Sequence, residues 1–600
     1  MTEERERLGE ISMGMSGGGT RAAGYHLGAL SYLDRIGLLQ DVRVISSASG
    51  GSLIATTYAM SCAKGWDFQT YILWMIEKLR FAEMIDWVLQ ELATGKPRSI
   101  SGRRSMVTAL AEVYDRQFFE GFKFGELIDE QPGHLREVVI NATDFRTGLG
   151  FRFQRHDPVG NGRTIIEPRQ VRHVRLADVM AASSCLPGGL EPFFFPEDFV
   201  WEGPEAQRDA MSIRARLRNL GVDSVPLMDG GIYDNQGVEG LMLAAARREV
   251  VGTDPALRLG EKLIESGDDS QKRLFEFDLL FQHIATGTAP HDPPGVVIVS
   301  DTPLDADPVF RGGYAHNVPA PLPTLPSPPQ SGLTLGAVRV WWRVLAALCL
   351  LSGLLLATDE VLLLRESGFG GLGGITDDLL RTVIPLLLTA AAFGTLVWVR
   401  IQMRGALKAV DEVLATEGVH SEASKRLHSS WDYLRHLRLS QLVYLARLRA
   451  SSLFALANDV FFIRMRVLGY TMLYMMPGWR EKLITNEIYD VSNASGPDAP
   501  QPNEAMVNVV NTAAKMPTAF WFERPDDLPH LIATGQMSMC FNLVSYLRRQ
   551  RRTSPGTFTP VLNALLTQAE LDWYHFAADP HVLVPRPARP SVVLAPPDVQ

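Results

Sequence analysis

Twice near its start the chain runs a short apolar stretch into a corner of small residues and then into a helical pattern. Ile11 to Ser16 leads to Gly17-Gly18-Gly19, after which apolar residues recur at helical spacing from Ala22 to Ile36. Val42 to Ser47 leads to Ala48-Ser49-Gly50-Gly51 and a second helical stretch over Leu53 to Ala63. Strands that read as continuous apolar runs are buried on both faces, and strands joined through helices run parallel. Val138 to Ala142, Phe151 to Phe153, Leu227 to Met228 and Val296 to Ser300 are further strand candidates. The first 300 residues therefore predict an α/β domain of three layers, α/β/α, with a mainly parallel sheet. At 600 residues the chain exceeds what one core supports, so further domains are expected.

Residues 304–336 are rich in proline and predict an extended linker after a catalytic domain spanning 1–303. Beyond it, Val340 to Thr358 carries a single charge, Arg343, and Thr382 to Val399 carries none over 18 residues, close to the ~20 needed to cross a bilayer. Trp341, Trp342 and Trp398 stand at the ends of these stretches. Arg339, Arg343, Arg400, Arg404 and Lys408 flank them, and the acidic Glu360, Glu366, Asp377 and Asp378 lie between them. The pattern predicts a two-helix transmembrane hairpin over 337–402, multi-pass, with the catalytic domain on the cytosolic side. The competing reading is a pair of buried core helices.

Residues 403–555 are helical in pattern and partly basic, with Arg464, Arg466 and Arg480 among many. These arginines suit anionic lipid headgroups or, equally, an ordinary solvated face. The run Tyr470 to Trp479 suits a membrane surface or a core. Leu531 to Leu547 reads as a helix that packs back on the catalytic sheet, and 556–600 forms a C-terminal tail.

The charged amino terminus, MTEERERLGE, lacks the apolar core of a secretory signal, and Cys62, Cys185, Cys349 and Cys540 show no disulfide or metal spacing. Both point to reduced thiols in the cytosol. A net charge of −9 argues against a nucleic-acid partner.

The glycine loop presents backbone N–H groups at a helix amino terminus, a site for a phosphate or an oxyanion. A P-loop would require Lys-Ser/Thr where Thr20-Arg21 stands, and a dinucleotide site would require a carboxylate where the second strand ends in Ile45-Ser46-Ser47. What stands there instead is a serine corner. It differs from the G-x-S-x-G elbow in having Ser47 for the first glycine. A serine nucleophile needs a base, and the best candidate is Asp229, delivered by Val225 to Met228 to the turn Gly230-Gly231. His283 and His291 follow in chain order but lie in a polar, proline-rich stretch.

The glycine loop, Ser-x-Ser-x-Gly and Asp-Gly-Gly in this order resemble the patatin-like phospholipase family, which is related to the cytosolic phospholipase A group. Asn141 to Asp144 with Thr147-Gly148, and Ala181 to Pro187 continuing to Pro192-Phe193, resemble two more of its blocks. The resemblance implies a Ser–Asp dyad, with Ser49 as nucleophile and Asp229 as the base. It further implies oxyanion-hole N–H groups from Gly17, Gly18 and Gly19. Arg21 would add positive potential, and Gly50, Gly51, Gly230 and Gly231 would support the turns. Ala22 stands where the family often has glycine.

The expected activity is that of a membrane-attached serine acyl hydrolase, of phospholipase A or lysophospholipase type, on phospholipid or another acyl lipid. Neither a metal nor a cofactor is implied. The alternative is a catalytically silent membrane scaffold of the same fold that binds lipid or a protein partner.

Overall fold

The computed structural model describes residues 8–80, 84–129, 133–155, 159–251, 293, 295–303, 340–351 and 462–585, apart from 162, 188, 519–523 and 525, with scattered further positions between 334 and 444. The chain forms two compact units, one of residues 1–316 with 456–600 and one of residues 317–455.

In the first unit, ten strands build one sheet: β1 (Ile11–Met15), β2 (Val42–Ala48), β3 (Glu137–Asp144), β4 (Leu149–Gln154), β5 (Val159–Gly160), β6 (Ile165–Ile166), β7 (Phe193–Phe195), β8 (Val225–Asp229), β9 (Val297–Asp301) and β10 (Leu483–Glu487). The order is β10-β9-β1-β2-β3-β4-β5-β6, with β8 paired to both β3 and β7. The five strands from β10 to β3 are parallel, as continuous apolar runs such as Ile-Ser-Met-Gly-Met require. Register sets Gly14 beside Ser46 and Met15 beside Ser47. The two small-residue corners therefore leave the sheet side by side at its carboxyl edge, where α/β folds bind ligands.

Helix α1 (Gly19–Arg35) follows β1, and α2 (Ser49–Ala63) follows β2 without an intervening loop. α1 is buried on almost every side because a second helix, Asp527–Thr553, packs on it. Two glycines permit that approach. A Cβ on Gly28 would stand 2.2 Å from the Ile532 carbonyl oxygen, and one on Gly535 would stand 2.0 Å from that of Tyr25. The helix predicted over Leu531 to Leu547 thus covers α1 and also touches β10.

The 403–555 region, read from the sequence as helical, also supplies β10. Leu483–Glu487 pairs in parallel with β9 and extends the sheet at its edge. Five residues between helices are too few for periodicity to distinguish strand from helix. Tyr470, Met472, Leu473, Met476 and Trp479 lie buried with Val297 and Val299, so the aromatic run fills a core. Arg466 is also enclosed, 3.8 Å from the Asp301 carboxylate.

The expected multi-pass membrane hairpin is corrected. Among the described residues no helix is long and apolar enough to cross a membrane. Only scattered positions of the second stretch are described, and the acidic connection lies outside the described residues.

Candidate active site

Nucleophile and base candidates meet because two strands run head-on along one edge of β3. β2 runs parallel to β3 and ends with Ala48 opposite Asn141. β8 runs antiparallel to β3 and ends with Asp229 opposite Ala142. Consecutive residues of β3 therefore bring the chain at Ser49 and the chain at Asp229 together.

At the end of β2 the backbone turns abruptly. Ala48 is extended, with φ −134°, and Ser49 is left-handed, with φ 49°. A non-glycine residue held there costs roughly 1–3 kcal/mol, which the surrounding structure must offset. The turn lets α2 begin at Ser49 itself, and its first residues press on the end of β1. A Cβ on Gly50 would stand 2.2 Å from the Gly19 carbonyl oxygen, and one on Gly51 2.5 Å from that of Met15. Both glycines are thus demanded by contact. Ser47 meets no such limit. It is still in the strand, buried, with its hydroxyl 3.4 Å from the Val139 carbonyl and 3.1 Å from Ser52 Oγ.

Asp229 is buried, and its carboxylate accepts a hydrogen bond from the Gly231 N–H at 2.7 Å, with the Ser49 side chain among the groups that act on its pKa. Burial pushes its pKa up to about 6, and the Ser49 side chain and the Gly231 N–H restrain the rise. Gly230 is needed because a Cβ would lie 2.2 Å from the Asn141 carbonyl oxygen.

Four residues not assigned a role from sequence hold these parts. Ser183, at the end of the helix Leu176–Ser183, donates its hydroxyl proton to the Asn141 carbonyl at 2.7 Å. Ser183 Oγ also accepts the Ser49 N–H at 3.2 Å and lies 2.8 Å from Ser52 Oγ. The Ser183 carbonyl receives the Gly230 N–H at 3.1 Å, so one residue braces both corners. Asn141 donates its amide to Ser46 Oγ and to the Ser47 carbonyl.

The other two act on the glycine loop. Asn235 accepts the Gly17 N–H at 3.0 Å, and Thr302 donates its hydroxyl to the Gly17 carbonyl at 3.1 Å. Nothing in the sequence flags Thr302 or Asn235, since each acts across a long chain separation.

Of the three loop glycines, Gly17 therefore has its N–H already engaged. Gly18 (φ 143°) and Gly19 (φ 60°) adopt conformations suited to glycine, and their N–H groups have no partner among the described residues. They open α1, where unpaired N–H groups and the helix dipole favour negative charge. Gly19 also lies against Gly50, the residue after Ser49. Arg21 is directed elsewhere. Its guanidinium donates to the carbonyls of Ala514 (3.1 Å), Met516 (3.4 Å) and Thr302 (2.9 Å).

Among the described histidines, His26 sits behind the loop. Its Nε2 is 2.9 Å from the Ser16 carbonyl and its Nδ1 2.9 Å from Ser300 Oγ. Burial lowers its pKa to about 4, so the ring is neutral at pH 7. His283 and His291 lie outside the described residues. Among the described residues no cluster of His, Cys, Asp or Glu is arranged to hold a metal ion.

Residues 14–242 match the family model described as patatin-like phospholipase. Three solved structures of human GIVD cytosolic phospholipase A2 are similar over a limited part. Its complex with methyl gamma-linolenyl fluorophosphonate inhibitor and terbium chloride is 17% identical over 30% of each chain, with a TM-score of 0.26. A second fluorophosphonate complex is 16% identical over 31% of this chain and 30% of that one, with a TM-score of 0.25. The structure titled without a ligand is 16% identical over 30% and 28%, with a TM-score of 0.22. The chain thus spans under a third of those proteins, and likenesses this slight carry no argument here. No curated protein matches the chain.

Proposed function

We propose that the chain is a serine acyl hydrolase acting on lipid esters, of phospholipase A or lysophospholipase type. The observation that carries this reading is that consecutive residues of β3 bring Ser49, on a strained corner, beside the buried carboxylate of Asp229. An exposed aspartate, with a pKa near 4, is a weak base toward a serine hydroxyl, and burial makes Asp229 a stronger one.

In this mechanism Ser49 Oγ attacks the acyl carbonyl carbon as its proton passes to Asp229. The oxyanion of the tetrahedral intermediate is held by the N–H groups of Gly18 and Gly19, each donor of this kind being worth roughly 10²- to 10³-fold in rate. Collapse breaks the ester C–O bond, and the alkoxide leaves with the proton from Asp229. Water then attacks the acyl-enzyme, Asp229 taking its proton, and the fatty acid departs as Ser49 recovers its hydrogen.

Labelling with a fluorophosphonate tests the reading. Wild type is expected to label at one site, Ser49→Ala not to label, and hydrolysis by that variant to fall at least ~10⁴-fold. Equal labelling of the two proteins rejects it. Phospholipase and lysophospholipase activities separate when rates are compared above and below the substrate's critical micelle concentration.

A further inference from the structure

An arginine two residues after the glycine loop would ordinarily be read as a cation offered to an anionic substrate. In this chain its surroundings argue for a different task. Arg21 is 2% exposed, and its guanidinium reaches three backbone carbonyls. Ala514 is the last residue of the helix Glu504–Ala514 and Met516 lies two residues beyond, so Arg21 binds the negative, carboxyl end of that helix. Placed in the first turn of α1, a positive charge is unfavourable to its own helix, and the distant helix end compensates it.

The third carbonyl belongs to Thr302, which is itself fastened to the loop. Its N–H donates to Ser16 Oγ at 2.9 Å and its hydroxyl to the Gly17 carbonyl at 3.1 Å. Thr302 Oγ1 would lie 2.7 Å from a Cβ on Gly18, so it also closes over the next residue. Residues 16–18 are thus clamped by Thr302, and Arg21 ties that clamp to the chain at 514–516. A planar fork with several fixed donors suits such a tie, and the flexible ammonium of lysine does not.

We propose that Arg21 is a positioning residue, a strut through which Thr302 and the segment 514–516 hold the N–H groups of Gly18 and Gly19 in place. The inference rests on the ester-hydrolase reading for its catalytic consequence, while the physical coupling stands apart from it. It makes the downstream segment a working part of the glycine loop, although that segment lies outside the matched residues 14–242.

The test uses the full chain and two substrates sharing one acyl chain, a neutral ester and a phospholipid. For Arg21→Lys and Arg21→Gln, kcat is expected to fall about 10- to 100-fold on both substrates equally, with KM altered less than about 3-fold. Thr302→Val should act the same way, and Thr302→Ser should recover to within about 3-fold of wild type. Hydrogen exchange should quicken together at residues 16–21 and 504–516 in Arg21→Gln.

The proposal is overturned if Arg21→Lys keeps full activity. A loss confined to the phosphate-bearing substrate with a raised KM, or unchanged exchange at 504–516, overturns it too. If wild type neither labels nor hydrolyses either ester, the hydrolase reading fails, and the exchange experiment still decides the strut.

Discussion

The two sides of the site are built in opposite ways. The side bearing Ser49 and Asp229 is assembled from β2, β3 and β8 within residues 14–242, by strand register and a cluster of hydroxyls. Its apolar support is local, as in Phe193 stacked on Phe199 with ring centroids 4.6 Å apart. The side bearing the glycine loop starts at β1, yet its supports are Thr302, residues 514–516 and the helix Asp527–Thr553. One half of the site is secured within residues 14–242, the other also by chain from far beyond them. A family domain can thus be recognisable over one stretch and still depend on another to be complete.

The most drastic way to break this contrast is to remove the distant supports. A chain ending at residue 316 loses β10 and the helix covering α1, exposing Tyr25 and Tyr32, which pack against Leu531 and Phe576. It is expected to show no cooperative unfolding transition and to bind a hydrophobic dye, whereas the full chain melts cooperatively. A cooperative melt from the shortened chain would refute the dependence.

Next comes Asp229→Asn, which leaves the fold and removes the base. Hydrolysis should fall at least ~10³-fold. In wild type the rate should rise tenfold per pH unit below about 6 and level off above it, as Asp229 loses its proton. Stability should move the other way. The folded pKa lies above that of the unfolded chain, so between about pH 4 and 6 the folded state holds the extra proton and stability falls as pH rises. The fall is on the order of 1–3 kcal/mol, and the asparagine variant should lack it, melting higher than wild type at pH 7. Denaturant titrations at pH 4 and 7 measure both.

Smaller effects sharpen the comparison. Gly50→Ala drives a methyl group into the Gly19 carbonyl and joins the two sides by collision, so kcat should drop about 100-fold. Ser183→Ala leaves the Ser49 N–H and the Asn141 carbonyl without their shared hydroxyl. About 10-fold in labelling rate and ~1–3 kcal/mol of stability are expected to be lost. No change in labelling would reduce Ser183 to a packing residue.

The same asymmetry explains what was legible. The two strand-to-helix corners, the turn that follows Asp229 and the glycines in them could be read directly, because local sterics demand small residues there. Ser183 and Asn141 lay inside stretches already noticed, but their roles depend on which strand edge they face. Thr302 and the partners of Arg21 left no local mark, since a backbone carbonyl carries no side-chain signature. The hairpin was misread for a related reason. Apolarity measures the cost of leaving a stretch in water and does not say whether a bilayer or other parts of the chain would cover it.

The head-on meeting of β2 and β8 has a consequence for how such a protein can diversify. The step from Asn141 to Ala142 sets how far apart the two reactive groups stand, whatever length of chain connects them. Insertions, deletions or exchanged segments between α2 and β3 leave that step alone, and those between β4 and β8 do so as long as Ser183 keeps its place. On the hydrolase reading, libraries that vary those connections are where altered substrate choice should be sought.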